Sequence, residues 1–89
     1  MAKRESLGAG TAADISDEAL DLIATRFRVL GEPNRLKLIR ALEGGELSVS
    51  ALMEVTGLTQ ANASRHLQTL TQAGILGRRR DGTSVLYHI

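Results

Sequence analysis

No cysteine occurs in the 89 residues, which excludes a disulfide framework, a thiolate metal site and a thiol redox switch. Aromatics are nearly absent too: Phe27 and Tyr87 alone cannot build a surface that stacks on bases. No apolar run reaches the length of a membrane span or a secretory signal, so the chain is expected to be cytoplasmic, with no membrane partner. What is present is globular in kind, with 43% hydrophobic and 24% charged residues. The length suits one small domain, near the size at which a second copy often completes the core. The net charge of +1 hides a split. Residues 1–58 hold seven Lys/Arg against nine Asp/Glu, while residues 59–89 hold four Arg against one Asp. A basic end of this kind favours a polyanion on one face.

Residues 1–14, small and Gly-containing without any period, are expected to form a mobile tail ahead of a domain over 15–89. Ser16 then caps a helix over about 17–30, with Asp17 and Glu18 in the first turn, where the helix dipole favours acids. Its wheel places Ala19, Leu20, Ile23, Phe27 and Leu30 on a core stripe. Leu22 and Val29 lie beside that stripe, so the apolar arc is wider than one face needs. Those two are therefore the expected contacts of a homodimer. Pro33 opens a second helix, about 33–43, whose Arg35, Lys37 and Arg40 are expected on a solvated or salt-bridged surface near Glu32, Glu43 and Glu46. Ser48 caps a short third helix, 49–56, that Gly57 ends.

The fourth helix, about 60–73, is the informative one. Thr59 is placed to cap it, and Ala63, Leu67 and Leu70 form a narrow inner stripe. Outward it presents Ala61, Asn62, Ser64, Arg65, Gln68, Thr69 and Gln72, with Thr59 and Gln60 at its start also expected on DNA, and the stretch from Thr59 to Ala73 contains no acid. Asn, Gln, Arg, Ser and Thr are the side chains that pair with base edges, whereas an acid would repel phosphate. A short helix, a turn with Gly and a helix with such an outer face form a helix-turn-helix, and the partner implied is double-stranded DNA. Beyond Gly74 the period changes to two, and Asp81-Gly82 signals a type I′ hairpin that would pair Arg80 with Thr83, Arg78 with Val85 and Leu76 with Tyr87. Arg78, Arg79 and Arg80 crowd its tip with only Asp81 expected close, so an external phosphate or minor groove is the expected partner of these arginines and of Thr83. The fold class is mainly α with a small β-hairpin, a winged helix-turn-helix with its two-stranded wing over about 75–89.

These residues resemble one family, the ArsR/SmtB group of bacterial repressors. The likeness is carried by Leu30-Gly31-Glu32-Pro33-Asn34-Arg35-Leu36, Glu46-Leu47-Ser48-Val49-Ser50-Ala51-Leu52, residues 58–67, Ala73-Gly74-Ile75-Leu76, and Arg79, Gly82, Val85 and Tyr87. It implies a homodimeric repressor on an inverted-repeat operator. The chain departs from the family's metal sensors, which often have cysteines where Ser48 and Ser50 stand, and hydroxyls are poor ligands for soft metals. It also ends at Ile89, so the helix that carries zinc in other relatives is expected to be absent, leaving the first helix to make the dimer. His66 is expected to pack rather than ligate, and His88 has no second ligand near it in sequence. No metal, cofactor or catalytic residue is therefore expected: Ser64 and His66, two apart on a helix, point to different faces. Two alternatives stay open, a winged-helix module for protein interaction and a repressor responding to an unidentified small molecule.

Overall fold

The computed structural model describes residues 14–89. The expected tail falls outside them, apart from Asp14. Four helices and three short strands follow in the order α1 (Asp17–Leu30), α2 (Pro33–Leu42), β1 (Leu47–Ser48), α3 (Val49–Thr56), α4 (Gln60–Gln72), β2 (Gly77–Asp81) and β3 (Ser84–His88). The caps explain the boundaries. Ser16, Ser48 and Thr59 each accept a hydrogen bond from the backbone N–H three residues on, at 3.1, 3.2 and 3.2 Å. Glu32 caps α2 through a bond from Asn34 N at 2.9 Å, with Pro33 at the first helical position. Gly57 at φ 77° and Gly74 at φ 76° supply the left-handed residues that turn the chain out of α3 and α4.

The core lies where α2, α3, α4 and the sheet meet: Leu38, Leu42, Leu52, Ala63, Leu67, Leu70, Leu76 and Tyr87 are all buried. Each large apolar side chain sealed there contributes about 1.5–3 kcal/mol relative to an exposed position. The inner stripe of the fourth helix is thus as its spacing predicts. The first helix is not. None of its residues is buried, and Leu20, Leu22, Ile23 and Phe27 are 50, 49, 41 and 70% exposed. Only its C-terminal end is attached, through Val29 and Leu30 packed on the core and through Arg26 Nε, which donates to the Ala73 carbonyl at 3.2 Å. Of the expected core stripe, Leu20, Ile23 and Phe27 therefore face outward while Leu30 packs inward, and Val29, expected on a dimer surface, belongs to the chain's own packing; Leu22 remains exposed.

The sheet also departs from expectation. It has three strands rather than two, in the order β1-β3-β2, because Leu47 and Ser48 pair with Tyr87 and Leu86. In the hairpin, Arg78 pairs with Tyr87, Arg80 with Val85 and Asp81 with Ser84, which places the turn at Gly82-Thr83. Gly82 has φ 65° and among the described residues no non-Gly residue has positive φ, so type I′ is excluded and the pattern is that of a turn with Gly first. Gly77 lies opposite His88, whose imidazole ring occupies the space a side chain at 77 would take. The two registers differ by an even step, so each residue keeps its face but meets a different neighbour. Ile89, beyond the last strand residue, is 62% exposed.

Candidate nucleic-acid interface

On α4, burial of Ala63, His66, Leu67 and Leu70 fixes the rotation of the helix and leaves Gln60, Ala61, Asn62, Ser64, Arg65 and Gln68 exposed. Thr59, also exposed, is engaged as the cap. One turn in, Arg65 Nη2 donates to Asn62 Oδ1 at 3.3 Å, so these two polar groups start as a pair on the outer surface. Thr69 is less available than its spacing suggests, being half-buried with its hydroxyl donated to the Arg65 carbonyl at 3.1 Å.

The helix is seated by a contact that sequence reasoning missed. Arg35, read as a surface cation, is half-buried and bridges two elements. Its Nε donates to His66 Nδ1 at 3.1 Å and its Nη1 to the Val29 carbonyl at 3.1 Å, joining the end of α1 to the middle of α4. Because guanidinium only donates, Nδ1 is the unprotonated nitrogen of His66. Its Nε2 faces Glu32 Oε2 at 3.7 Å, a polar contact too long for a hydrogen bond. Burial, with Arg65 and Arg35 beside it, lowers the His66 pKa against the opposing pull of Glu32. A neutral imidazole fits its role as acceptor. The sequence signal was the proximity of Arg35 to Pro33, which starts α2 against the end of α1.

The wing arginines divide. Arg79 lies on the sheet face opposite Arg78 and Arg80 and reaches across β3 to Glu46, with Nε at 2.7 Å from Oε2 and 3.0 Å from Oε1, and Nη2 at 2.8 Å from Oε1. The hydrogen bond from Arg79 lowers the Glu46 pKa, and the same bond raises that of Arg79. The expectation that only Asp81 could relieve the three arginines is therefore corrected, since Arg79 already has its anion. Among the described residues Arg78 and Arg80 have no carboxylate partner. Both are exposed, as is Thr83 at the turn.

Positions 48 and 50 do not fit a metal. Ser48 Oγ is occupied as the α3 cap, Ser50 is another hydroxyl, and among the described residues no group of three or more His, Cys, Asp or Glu is gathered to hold an ion. His66 and His88 sit on α4 and β3, each against protein groups.

Comparison with known proteins agrees with this geometry. A model of a helix-turn-helix domain matches residues 30–79, more than half of the chain. The chain is 34% identical, with a TM-score of 0.79, to a homodimeric winged helix-turn-helix DNA-binding domain from Mycobacterium bovis, described as a possible ArsR-family transcriptional regulator, and the match covers 91% of this chain and 74% of that one. The chain belongs to the ArsR/SmtB family. Within that family it is 30% identical to the transcriptional repressor BigR from Xylella fastidiosa, with a TM-score of 0.75 over 89% of this chain and 80% of that one. It is also 32% identical to the HTH-type transcriptional regulator KmtR of Mycobacterium tuberculosis over 84% of this chain. The ArsR/SmtB chain spans 58% of the length of KmtR. Among its described residues no helix is long and apolar enough to cross a membrane.

Proposed function

We propose that this ArsR/SmtB chain acts as a homodimeric transcriptional repressor on double-stranded operator DNA. In this reading α4 enters the major groove, with Gln60, Ala61, Asn62 and Arg65 toward base edges and Thr59, Ser64, Gln68 and Thr69 along the flank. Arg78, Arg80 and Thr83 of the wing hold the adjacent backbone or minor groove. Arg79 is left out of the contact set because Glu46 already satisfies it. The observation that carries the proposal is the exposed, acid-free outer face of α4 beside two wing arginines that lack a carboxylate among the described residues. Such a surface has no partner among the described residues, and a polyanion with hydrogen-bonding edges satisfies both halves.

The second copy is argued from α1. Leu20, Ile23 and Phe27 recur at helical spacing and are open to solvent, a stripe that the other described residues do not cover. Two-fold pairing of this stripe with itself would cover it in both copies. The Mycobacterium bovis relative is homodimeric, which supports a two-copy assembly here.

Duplexes selected by the chain from a random pool should carry two inverted half-sites whose centres lie about one helical turn apart, roughly 34 Å, or a multiple of it. A footprint confined to one half-site without inverted symmetry would refute the dimeric reading.

A further inference from the structure

Major and minor grooves that lie side by side on a duplex share one sugar-phosphate strand. A protein with its helix in one and its wing in the other must therefore let that strand pass between helix and wing. In this structure the place is an open groove of about 320 Å³, lined by Ser64, Gln68, Thr71 and Gln72 from α4 and by Arg78 and Tyr87 from the sheet. The four helix residues recur at 64, 68, 71 and 72, a single stripe turned toward the wing. The observed register supplies the opposite wall, because it sets Arg78 directly across from Tyr87.

The polar inventory of the groove suits an anion. Arg78 is its one charged group, and no acid lines it. Thr71 has its proton committed to the Leu67 carbonyl at 2.7 Å. Tyr87 differs from the other walls. Its ring belongs to the core and the residue is only 8% exposed, yet its hydroxyl makes no hydrogen bond within the described residues and is not sealed from solvent. A buried tyrosine ordinarily finds a partner for its hydroxyl. Here the lining assigns that partner to whatever occupies the groove.

We propose that this groove seats one phosphodiester group of the strand dividing the two grooves, with Arg78 supplying the charge and the Tyr87 hydroxyl a directional bond. The inference rests on the DNA-binding reading above and extends it to a residue that the sequence marks only as core. It also gives the flank residues Ser64 and Gln68 the task of holding the backbone, which leaves Gln60, Ala61, Asn62 and Arg65 to carry sequence preference.

The test uses the full chain and its selected duplex, with phosphates replaced one at a time by neutral methylphosphonate and affinity followed by fluorescence anisotropy. The wild-type chain should lose about tenfold at one linkage in each half-site, the scale of a hydrogen bond to a charged group. Tyr87→Phe, which keeps the ring in the core, should bind the unmodified duplex about tenfold more weakly and lose little more at that linkage. Arg78→Gln, at an exposed position, should behave alike and serves if the first variant folds poorly. Unaltered affinity in both variants, or a methylphosphonate penalty that persists in them undiminished, overturns the seat. A wild-type chain that binds no duplex from the pool would instead overturn the function on which it rests.

Discussion

Phe27→Glu is expected to leave the chain monomeric and to weaken operator binding by roughly 100- to 10,000-fold, the range lost when two linked half-sites no longer act together. Phe27 is 70% exposed in the single chain, more than any other large apolar residue among those described. A carboxylate there costs little on a solvated helix but is left unpaired in a packed subunit contact. Since α1 buries none of its residues within the chain, helix content should survive the substitution. Sedimentation equilibrium and DNA anisotropy measure the two effects separately. An unchanged dimer mass would return the stripe to the open surface, and Leu22→Glu provides the comparison, because Leu22 lies to the side of the line through Leu20, Ile23 and Phe27.

Arg35→Ala should be the most costly substitution of a charged residue, at about 2–4 kcal/mol of stability. It strands two acceptors, His66 Nδ1 and the Val29 carbonyl, and each unsatisfied buried group costs about 1–3 kcal/mol. In a domain of this size the melting temperature should fall by roughly 10–20 °C. Dimer mass and DNA affinity, measured below the transition, should fall with it, because the lost bonds join α1 to the helix that faces DNA. The pH dependence has a defined sign. His66 is held below its ordinary value of 6.5 in the folded chain, mainly by burial, so the unfolded chain takes up its proton first as pH falls. The stability linked to neutral His66 is complete above about pH 6.5 and declines as pH falls toward the lowered folded value. His66→Gln should remove that part of the decline, and a wild-type melting temperature that does not fall on acidification through this window would contradict the assignment.

What could be read in the sequence was local. The caps at Ser16, Ser48 and Thr59, the helix start at Pro33, the stops at Gly57 and Gly74 and the inner stripe of Ala63, Leu67 and Leu70 depend on residues a few positions apart, and four helices followed from them. What covers an apolar stripe is not local. Leu20, Ile23 and Phe27 have the same spacing whether they face their own core or a second copy, so the helix was placed correctly and its outer face was misread. The strand at Leu47–Ser48 is too short to show a period, and it is paired only because Tyr87 and Leu86 arrive from the far end of the chain. Asp81-Gly82 favours one tight turn by itself, but the pairing along the whole of both strands puts the turn at Gly82-Thr83. Arg79 and Glu46, 33 residues apart, meet only once the sheet has formed. Among the candidate site residues, the outer face of α4 was legible because acids are missing from it. Tyr87 was hidden because a core tyrosine and one with an open hydroxyl look alike in sequence.

The central claim, that α4 reads base edges while the wing holds the backbone, is tested most directly by comparing the duplexes selected by Gln60→Ala, Asn62→Ala and Arg80→Ala chains with those of the wild type. The two helix variants should lose discrimination at defined base pairs, by about 1–3 kcal/mol at each, with other positions unchanged. Arg80→Ala should keep the wild-type preference, bind all sequences more weakly and reduce the slope of log affinity against log salt by about one. Unaltered preferences in both helix variants, with a changed preference in Arg80→Ala, would contradict the account.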